Sequence, residues 1–236
     1  PVIPEARIQE MRMNYSTSSW NLIKSVNDMT VASCMIVDIA PDEKTILARM
    51  KPKTRYNIGL AARKGVHTFL AGKDRLPAFY DLYRQTAGRN RFLVCDYEHF
   101  HALFSVIEEQ NQDAEVLFLL SCHNDDLLAG SIMAVSDKTA LFLFGASSNC
   151  KRNYMGSYAV HWEAIRHARS RGCVEYDMGG VSPGVDPDHP FYGLYFFKSG
   201  FGGQMIHRTG TWDFPLDKDA YTAFRNAETI LCGLGG

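Results

Sequence analysis

The run Tyr192-Gly-Leu-Tyr-Phe-Phe-Lys198-Ser-Gly-Phe201-Gly-Gly203 sets one cation among aromatic rings, just before a turn with three glycines. Such a lysine has two readings. Its stem can lie along apolar surface while the ammonium snorkels to water. Alternatively the ammonium is held in place, where a fixed positive charge can stabilise a developing oxyanion in acyl transfer or bind a phosphate. Cysteine chemistry has less support. The cysteines at 34, 95, 122, 150, 173 and 232 form no C-x-x-C pair and no zinc-finger spacing with histidine. Cys95, His99 and His101 come nearest to a cluster, at the start of an amphipathic helix, and no metal site is expected there. The pattern reads as reduced, mostly buried thiols of a cytoplasmic protein.

Any such group needs elements to hold it. Met29–Ala40 ends in a strand, Met35–Ile39, and Pro41–Met50 reads as a short helix with Asp42 as its cap. In KPKTRYNIGLAARKGV, Thr54 is the expected N-cap, Ile58, Ala61 and Ala62 form an apolar stripe, and Gly65 is the stop. Val66–Leu70 is a strand, and Pro77 opens a helix running to about Thr86. Asp96 can cap the next helix, with Phe100, Leu103, Phe104 and Ile107 at helical spacing. Glu115–Cys122, Leu128–Val135 and Thr139–Phe144 are β runs separated by polar turns, hence an antiparallel meander. Ser157 then caps a helix to about Arg171, stopped by Gly172, with Tyr158, Trp162 and Ile165 inward. Val174–Met178 is a strand, and a last amphipathic helix covers about Lys218–Leu231.

Composition is that of an ordinary globular chain: 46% hydrophobic, 22% charged and a net charge of −1 over 236 residues. That excludes disorder, collagen and coiled coil. No apolar run approaches the roughly 18 residues of a membrane helix, and PVIPEARIQEMRMNY has no apolar core of a signal peptide. Charge is uneven locally. Residues 51–75 carry seven Lys/Arg against Asp74, residues 151–171 carry five against Glu163, and residues 106–126 carry six acids and no Lys or Arg. The basic segments are either solvated helix faces or a site for something phosphorylated.

The element order gives an α+β mixed sheet with helices on both faces. Meander, loop, helix and strand in that order also form the core of the GNAT (acyl-CoA N-acyltransferase) fold, an analogy of topology that does not fix function. In that fold the loop before the helix is rich in glycine, so that backbone N–H groups cradle the coenzyme A pyrophosphate. Here Arg152 is followed by Asn-Tyr-Met-Gly156-Ser-Tyr158. The spacing is one residue long and the second small position is an aromatic, which would block close approach of phosphate to backbone. The acetyl-CoA site is therefore expected to be absent.

Five blocks in order, KPKTRYNIGLAARKGV, TAGRNRF, GASSNCKRNYMGSYAVHWEAI, EYDMGG and GLYFFKSGFGG, resemble the FemXAB family over about residues 36–215. These are aminoacyl-tRNA-dependent peptidyltransferases that build peptidoglycan cross-bridges. The resemblance implies two GNAT-like domains, the second at 51–214 and complete, the first reduced to a remnant at 1–50 and 215–236. Family members carry a longer N-terminal part before the Lys-Thr-Arg block, so the first domain is either reduced here or the chain lacks an N-terminal portion. A further departure is Gly59, where a basic residue is common; glycine within an exposed helix costs roughly 1 kcal/mol against alanine.

The resemblance implies transfer of an amino acid from its tRNA ester to an amine on the stem peptide of a peptidoglycan precursor, cytoplasmic and without cofactor or metal. The ester is already activated, so positioning can supply much of the rate. Lys198 matches the lysine of the family's Phe-Lys turn and is the candidate oxyanion donor or holder of the tRNA acceptor end. Phe197 could stack on a terminal base, and Phe201 completes the expected tRNA contact. Asp177, before Gly179-Gly180, is the candidate base for the attacking amine, or else only a loop cap. Arg55, Arg89 and Arg91 occupy motif positions suited to phosphate and carboxylate, and Tyr154 and Tyr158 could hydrogen-bond the stem peptide. The implied partners are aminoacyl-tRNA and a precursor, UDP-MurNAc-peptide or lipid II, with peripheral contact at the inner membrane face and no DNA. Two other functions stay open: a GNAT-like N-acyltransferase using acyl-CoA, and a non-catalytic tRNA- or precursor-binding protein.

Overall fold

A meander of three β runs followed by a helix and a strand has few ways to bury its apolar faces, and the computed structural model of the chain adopts the mixed α+β solution. It describes residues 22–26, 28, 31–109 and 114–233. The segment before residue 22 and the side chains of Ile107 and Leu231 lie outside the described residues. Two compact units are present: Met35–Gly179 with Tyr195–Gln204, and Gly180–Leu194 with Met205–Gly236 and the segment ending at Cys34.

In the larger unit, strands β3 (His67–Leu70), β4 (Ala114–His123), β5 (Asp126–Ser136), β6 (Thr139–Ser147), β7 (Glu175–Gly180) and β2 (Ser33–Asp38) lie side by side in that order. The first four are antiparallel, and β7 runs parallel to β6 with Thr139 opposite Glu175 and Leu141 opposite Asp177. Strand parity sorts the core. Phe118, Leu120 and Ile132 belong to a cluster with Leu76, Phe79, Leu82, Tyr83 and Phe100 of helices α3 (Leu76–Asn90) and α4 (Tyr97–Glu109). Helix α5 (Gly156–Ser170) packs against β3, β4 and β5, burying Val160, Ala164, Ile165 and Ala168, and it also touches α2 (Pro52–Arg63).

The expected strands all form, and Gly65 and Gly172 end α2 and α5 with positive φ. Asp42 caps α1 (Glu43–Arg49), accepting from the Thr45 N–H at 2.7 Å. Three local expectations are corrected. Helix α2 starts at Pro52 with Lys51 in the cap position, so Thr54 is not the cap; it lies inside the helix, buried. Helix α5 starts from Met155 in a left-handed conformation (φ 62°), not from Ser157. Helix α3 continues past Thr86 to Asn90, because Tyr83, Thr86 and Ala87 keep the buried stripe going.

The smaller unit is described by itself. It pairs β1 (Ile23–Lys24) with β8 (Trp212–Asp213), antiparallel, and carries α7 (Lys218–Gly233). The Tyr221 hydroxyl donates to Asp213 Oδ2 at 2.9 Å, tying α7 to that ribbon. Asp28 accepts from Lys24 Nζ at 2.6 Å and from the Thr211 N–H at 2.7 Å.

Candidate functional site

Lys198 closes helix α6 (Tyr192–Lys198) and is only 5% exposed. That exposure runs against the snorkelling reading, which expects the end of the side chain to reach out into bulk water. Burying a charge is costly unless the surroundings compensate it. Part of the compensation is the ring of Phe142 on β6, whose centroid is 5.6 Å from Nζ, at cation–π distance. Around it the larger unit gathers a cluster of rings. Phe197 lies 5.0 Å from Tyr158 and 5.4 Å from Phe201. His161 sits 5.0 Å from Phe142, 5.4 Å from Phe197 and 5.5 Å from Phe201. Tyr158 and His161 are one helical step apart on α5, so α5 supplies one wall of the cluster and α6 another.

The Lys-Pro-Lys-Thr start of α2 and the glycine turn after Lys198 are far apart in sequence and joined in space. The Lys51 N–H donates to the Gly200 carbonyl at 2.9 Å, and Lys51 Nζ donates to Ser199 Oγ at 2.8 Å. A Cβ at Gly200 would overlap Thr54 Oγ1, so glycine permits this approach and Thr54 is used as a packing surface. On the other side Gly179 has φ +76°, and a Cβ there would lie 3.8 Å from Lys198 Nζ. Asp177, also 5% exposed, accepts from the Gly179 N–H at 2.7 Å and so fixes that turn. A loop-capping task is thus filled by Asp177 whatever else it does.

The other expected site residues are distributed as follows. Tyr158, half-buried, lines a cavity of about 260 Å³ together with Phe197, Gly156, Ser157, Lys151 and Arg152. Phe201 is 1% exposed, which leaves no ring face for a base; it supports Tyr158 and Phe197 from inside. Tyr154 sits outside the ring cluster, between Lys64 Nζ (4.5 Å from its centroid) and Lys151 Nζ (5.6 Å), with His123 at 4.6 Å. Arg89 donates to the Ser147 carbonyl at 2.9 Å, Ser147 Oγ at 2.8 Å and Asn149 Oδ1 at 2.6 Å, fastening the loop that leads into α5. Partial burial, then the neighbouring Arg152 charge, lowers the Arg89 pKa. Arg91 is an exposed left-handed C-cap of α3 (φ 57°). Arg55 is exposed and donates to the last carbonyls of α1, Leu47 and Ala48, and to Met50. The structure therefore brings together Lys198, Phe197, Phe201 and Tyr158, and leaves Arg55, Arg89, Arg91 and Tyr154 outside that cluster.

Two members were not singled out from sequence. Phe142 could be found only once the parity and register of β6 were known. His161 carries a sequence signal, a polar residue three positions after Tyr158 on the apolar stripe of α5. Burial and then the Lys198 charge push its pKa down to about 3, so it is neutral. The basic segment 151–171 is largely paired: Lys151 with Asp126, Arg166 with Glu43 and Glu163, and Arg171 with Glu115 through two nitrogens at 2.6 and 2.8 Å. Among the described residues no His, Cys, Asp or Glu group is arranged to hold a metal.

The model of the FemAB family matches residues 29–121 and 111–229. The lipid II:glycine glycyltransferase of Staphylococcus saprophyticus is 23% identical over 254 residues, covering 82% of this chain and 61% of that protein. The enzyme of the same name from Staphylococcus epidermidis is 22% identical, with 79% and 59% covered. This chain thus spans about three-fifths of the length of those curated relatives. Among solved structures, FemX superposes with a TM-score of 0.83 at 18% identity, covering 95% of this chain and 73% of FemX. L-PGS from Bacillus licheniformis superposes with a TM-score of 0.58 at 10% identity, covering 93% and 69%. At these identities the solved structures speak for the fold alone, a mixed sheet flanked by helices. The family model covers most of the chain, and the chain belongs to the FemAB family.

Proposed function

We propose that the chain moves an amino acid from an aminoacyl-tRNA to the stem-peptide amine of a peptidoglycan precursor, the cross-bridge reaction. The observation that carries this reading is a buried lysine whose ammonium lies over the Phe142 ring, next in the chain to Phe197, which lines a cavity of about 260 Å³. Family membership and relatives named as lipid II:glycine glycyltransferases support it.

The chemistry asked of the protein is modest. An aminoacyl ester is already activated, so holding amine and carbonyl in contact supplies much of the acceleration. Lys198 is assigned to the carbonyl oxygen, which becomes an oxyanion in the tetrahedral intermediate; a preplaced charge in a water-poor site needs no reorganisation there. Phe197, half-buried on the cavity wall, is assigned to stack on the terminal base. The attacking amine must lose a proton, and Asp177 is assigned to accept it. Asp177→Asn keeps the acceptor oxygen for Gly179 and removes the basicity. It is expected to slow transfer at least tenfold, within the range of general-base effects, without unfolding; an unchanged rate removes Asp177 from proton transfer. The acceptor is a nucleotide-linked or a lipid-linked precursor, the latter reached by peripheral contact at the inner membrane face. Among the described residues no helix is long and apolar enough to cross a membrane.

The test is incubation with charged total tRNA and either a lipid-linked or a nucleotide-linked labelled precursor, followed by mass analysis of the stem peptide. A gain of one aminoacyl residue dependent on charged tRNA is expected. No gain, with thermal stabilisation by acetyl-CoA instead, would move the chain to the acyl-CoA class, because a true donor must bind the native state.

A further inference from the structure

We infer that the exposed face of α2, centred on Tyr56 and Arg63, is a docking surface for an RNA strand, whose phosphates run along the helix and whose end reaches the cavity past Tyr154. In naming where the RNA meets the chain, this deepens the reading of a tRNA-borne donor and rests on it.

Tyr56 is 59% exposed, a large ring on the outer side of α2 rather than in the core. The Arg63 guanidinium carbon lies 5.5 Å from its centroid, at cation–π distance. The two residues are about two turns apart on the helix, and Gly59 lies between them. A Cβ at Gly59 would sit 3.1 Å from Arg63 Nη1, so the missing side chain lets the guanidinium fold back toward Tyr56. That is a physical reason for a glycine that otherwise only costs helix stability. Arg63 takes one side of the ring, and the exposed remainder is open to a base, which an aromatic face stacks whatever its identity.

Charge points to phosphate. Lys51, Lys53, Arg55, Arg63 and Lys64 lie on α2 or at its two caps, and among the described residues none of them forms an ion pair. Lys51, Arg55 and Lys64 donate hydrogen bonds to Ser199 Oγ, to α1 carbonyls and to the Asn153 carbonyl, neutral acceptors that leave the charge in place. Segment 151–171 is the contrast, its cations being largely matched by carboxylates. Unneutralised cations interleaved with an open ring are what a single strand of nucleic acid uses, phosphates on the one and a base on the other. The face also leads to the cavity. Lys64 Nζ lies 4.5 Å from the Tyr154 centroid, and Nζ of Lys151, which lines the cavity, lies 5.6 Å from the same ring. Tyr56 and Lys64 are about 12 Å apart along the helix axis, so a strand laid on α2 meets cations and rings from Lys53 to the cavity wall.

The test is binding of fluorescently labelled, uncharged bulk tRNA to the whole chain, by anisotropy over a series of salt concentrations, with melting temperatures on the same preparations. Tyr56→Ala is expected to weaken binding about fivefold or more, and Tyr56→Phe, which keeps the ring, to stay within about twofold of wild type. Arg63→Gln should reduce the slope of log K against log salt by about 0.7–0.9, one phosphate contact. Gly59→Glu sets a carboxylate four residues before Arg63, which favours the helix and neutralises the cation; it should weaken binding at least as much as Arg63→Gln, with no loss of melting temperature. Wild-type affinity in both Tyr56→Ala and Gly59→Glu would overturn the inference, since a merely solvated face is indifferent to either change. Absence of tRNA binding in the wild type overturns it too, and phosphatidylglycerol vesicles held through the same residues would give the surface to a membrane instead. If these variants weaken tRNA binding but the wild type transfers nothing to either labelled precursor, the transfer reading falls and the RNA surface stands.

Discussion

Replacing Lys198 with methionine keeps an unbranched side chain, one atom shorter, and removes its charge, so activity and stability are read separately. The lysine is 5% exposed beside the Phe142 ring. Loss of the cation–π contact costs about 1–2 kcal/mol in a desolvated setting. Against that, the protein no longer has to keep an ammonium out of water, a penalty of several kcal/mol per ion before compensation. A methionine sulfur beside Phe142 makes a favourable contact of about 0.3–1.5 kcal/mol. Calorimetry reports the balance, at about 2–4 °C of melting temperature for each 1 kcal/mol in a chain of this size. Activity has no such compensation: losing one preplaced oxyanion donor lowers kcat by about 10²–10³. The assay is tRNA-dependent transfer to a labelled precursor at saturating substrate, with calorimetry on the same preparations. Lys198→Arg should not rescue, because the planar guanidinium fork needs room and partners that a point charge does not. Turnover unchanged in Lys198→Met, or lost only in proportion to folded protein, would refute the assignment.

Gly200→Ala should destabilise by about 1–3 kcal/mol, the range for overpacking, because the new Cβ overlaps Thr54 Oγ1. A further Thr54→Ala should recover much of that loss, since the overlapping atom is then gone and the next Thr54 atom is 3.5 Å away; strict additivity in the double-mutant cycle would contradict the packing argument. Glu115 is held below its ordinary pKa of 4.5, chiefly by hydrogen bonds from Arg171. Its contribution to stability is therefore present above that value and lost as pH falls through the depressed one. Arg171→Ala should flatten the acid limb of the stability profile in that window, and an unchanged limb would show that the pair is not formed in solution.

The fold was legible because its signals are local. The alternation in β4, β5 and β6, the 3.6-residue stripes of α2, α4 and α5, the Asp42 cap and the glycine stops each need only neighbouring residues to act. Errors fell where a residue's partner is distant. Thr54 looks like a cap because caps are threonines before apolar stripes; it is instead drawn inside by Gly200, far along the chain. Ser157 likewise has the right type for a cap, yet the left-handed Met155 starts the helix. Arg55, Arg89 and Arg91 have the charge for phosphate or carboxylate. Arg55 and Arg89 are engaged mainly with carbonyl oxygens at helix and strand ends, and Arg91 turns the chain.

By itself the sequence determined the α+β class and the meander-helix-strand order and singled out Lys198 as a candidate, because period, turn residues and an aromatic-flanked cation are written in short stretches. Only the tertiary structure decided whether that lysine is exposed or buried, since its neighbour Phe142 comes from a distant strand. Burial is a property of several segments at once, and no single stretch of chain carries it.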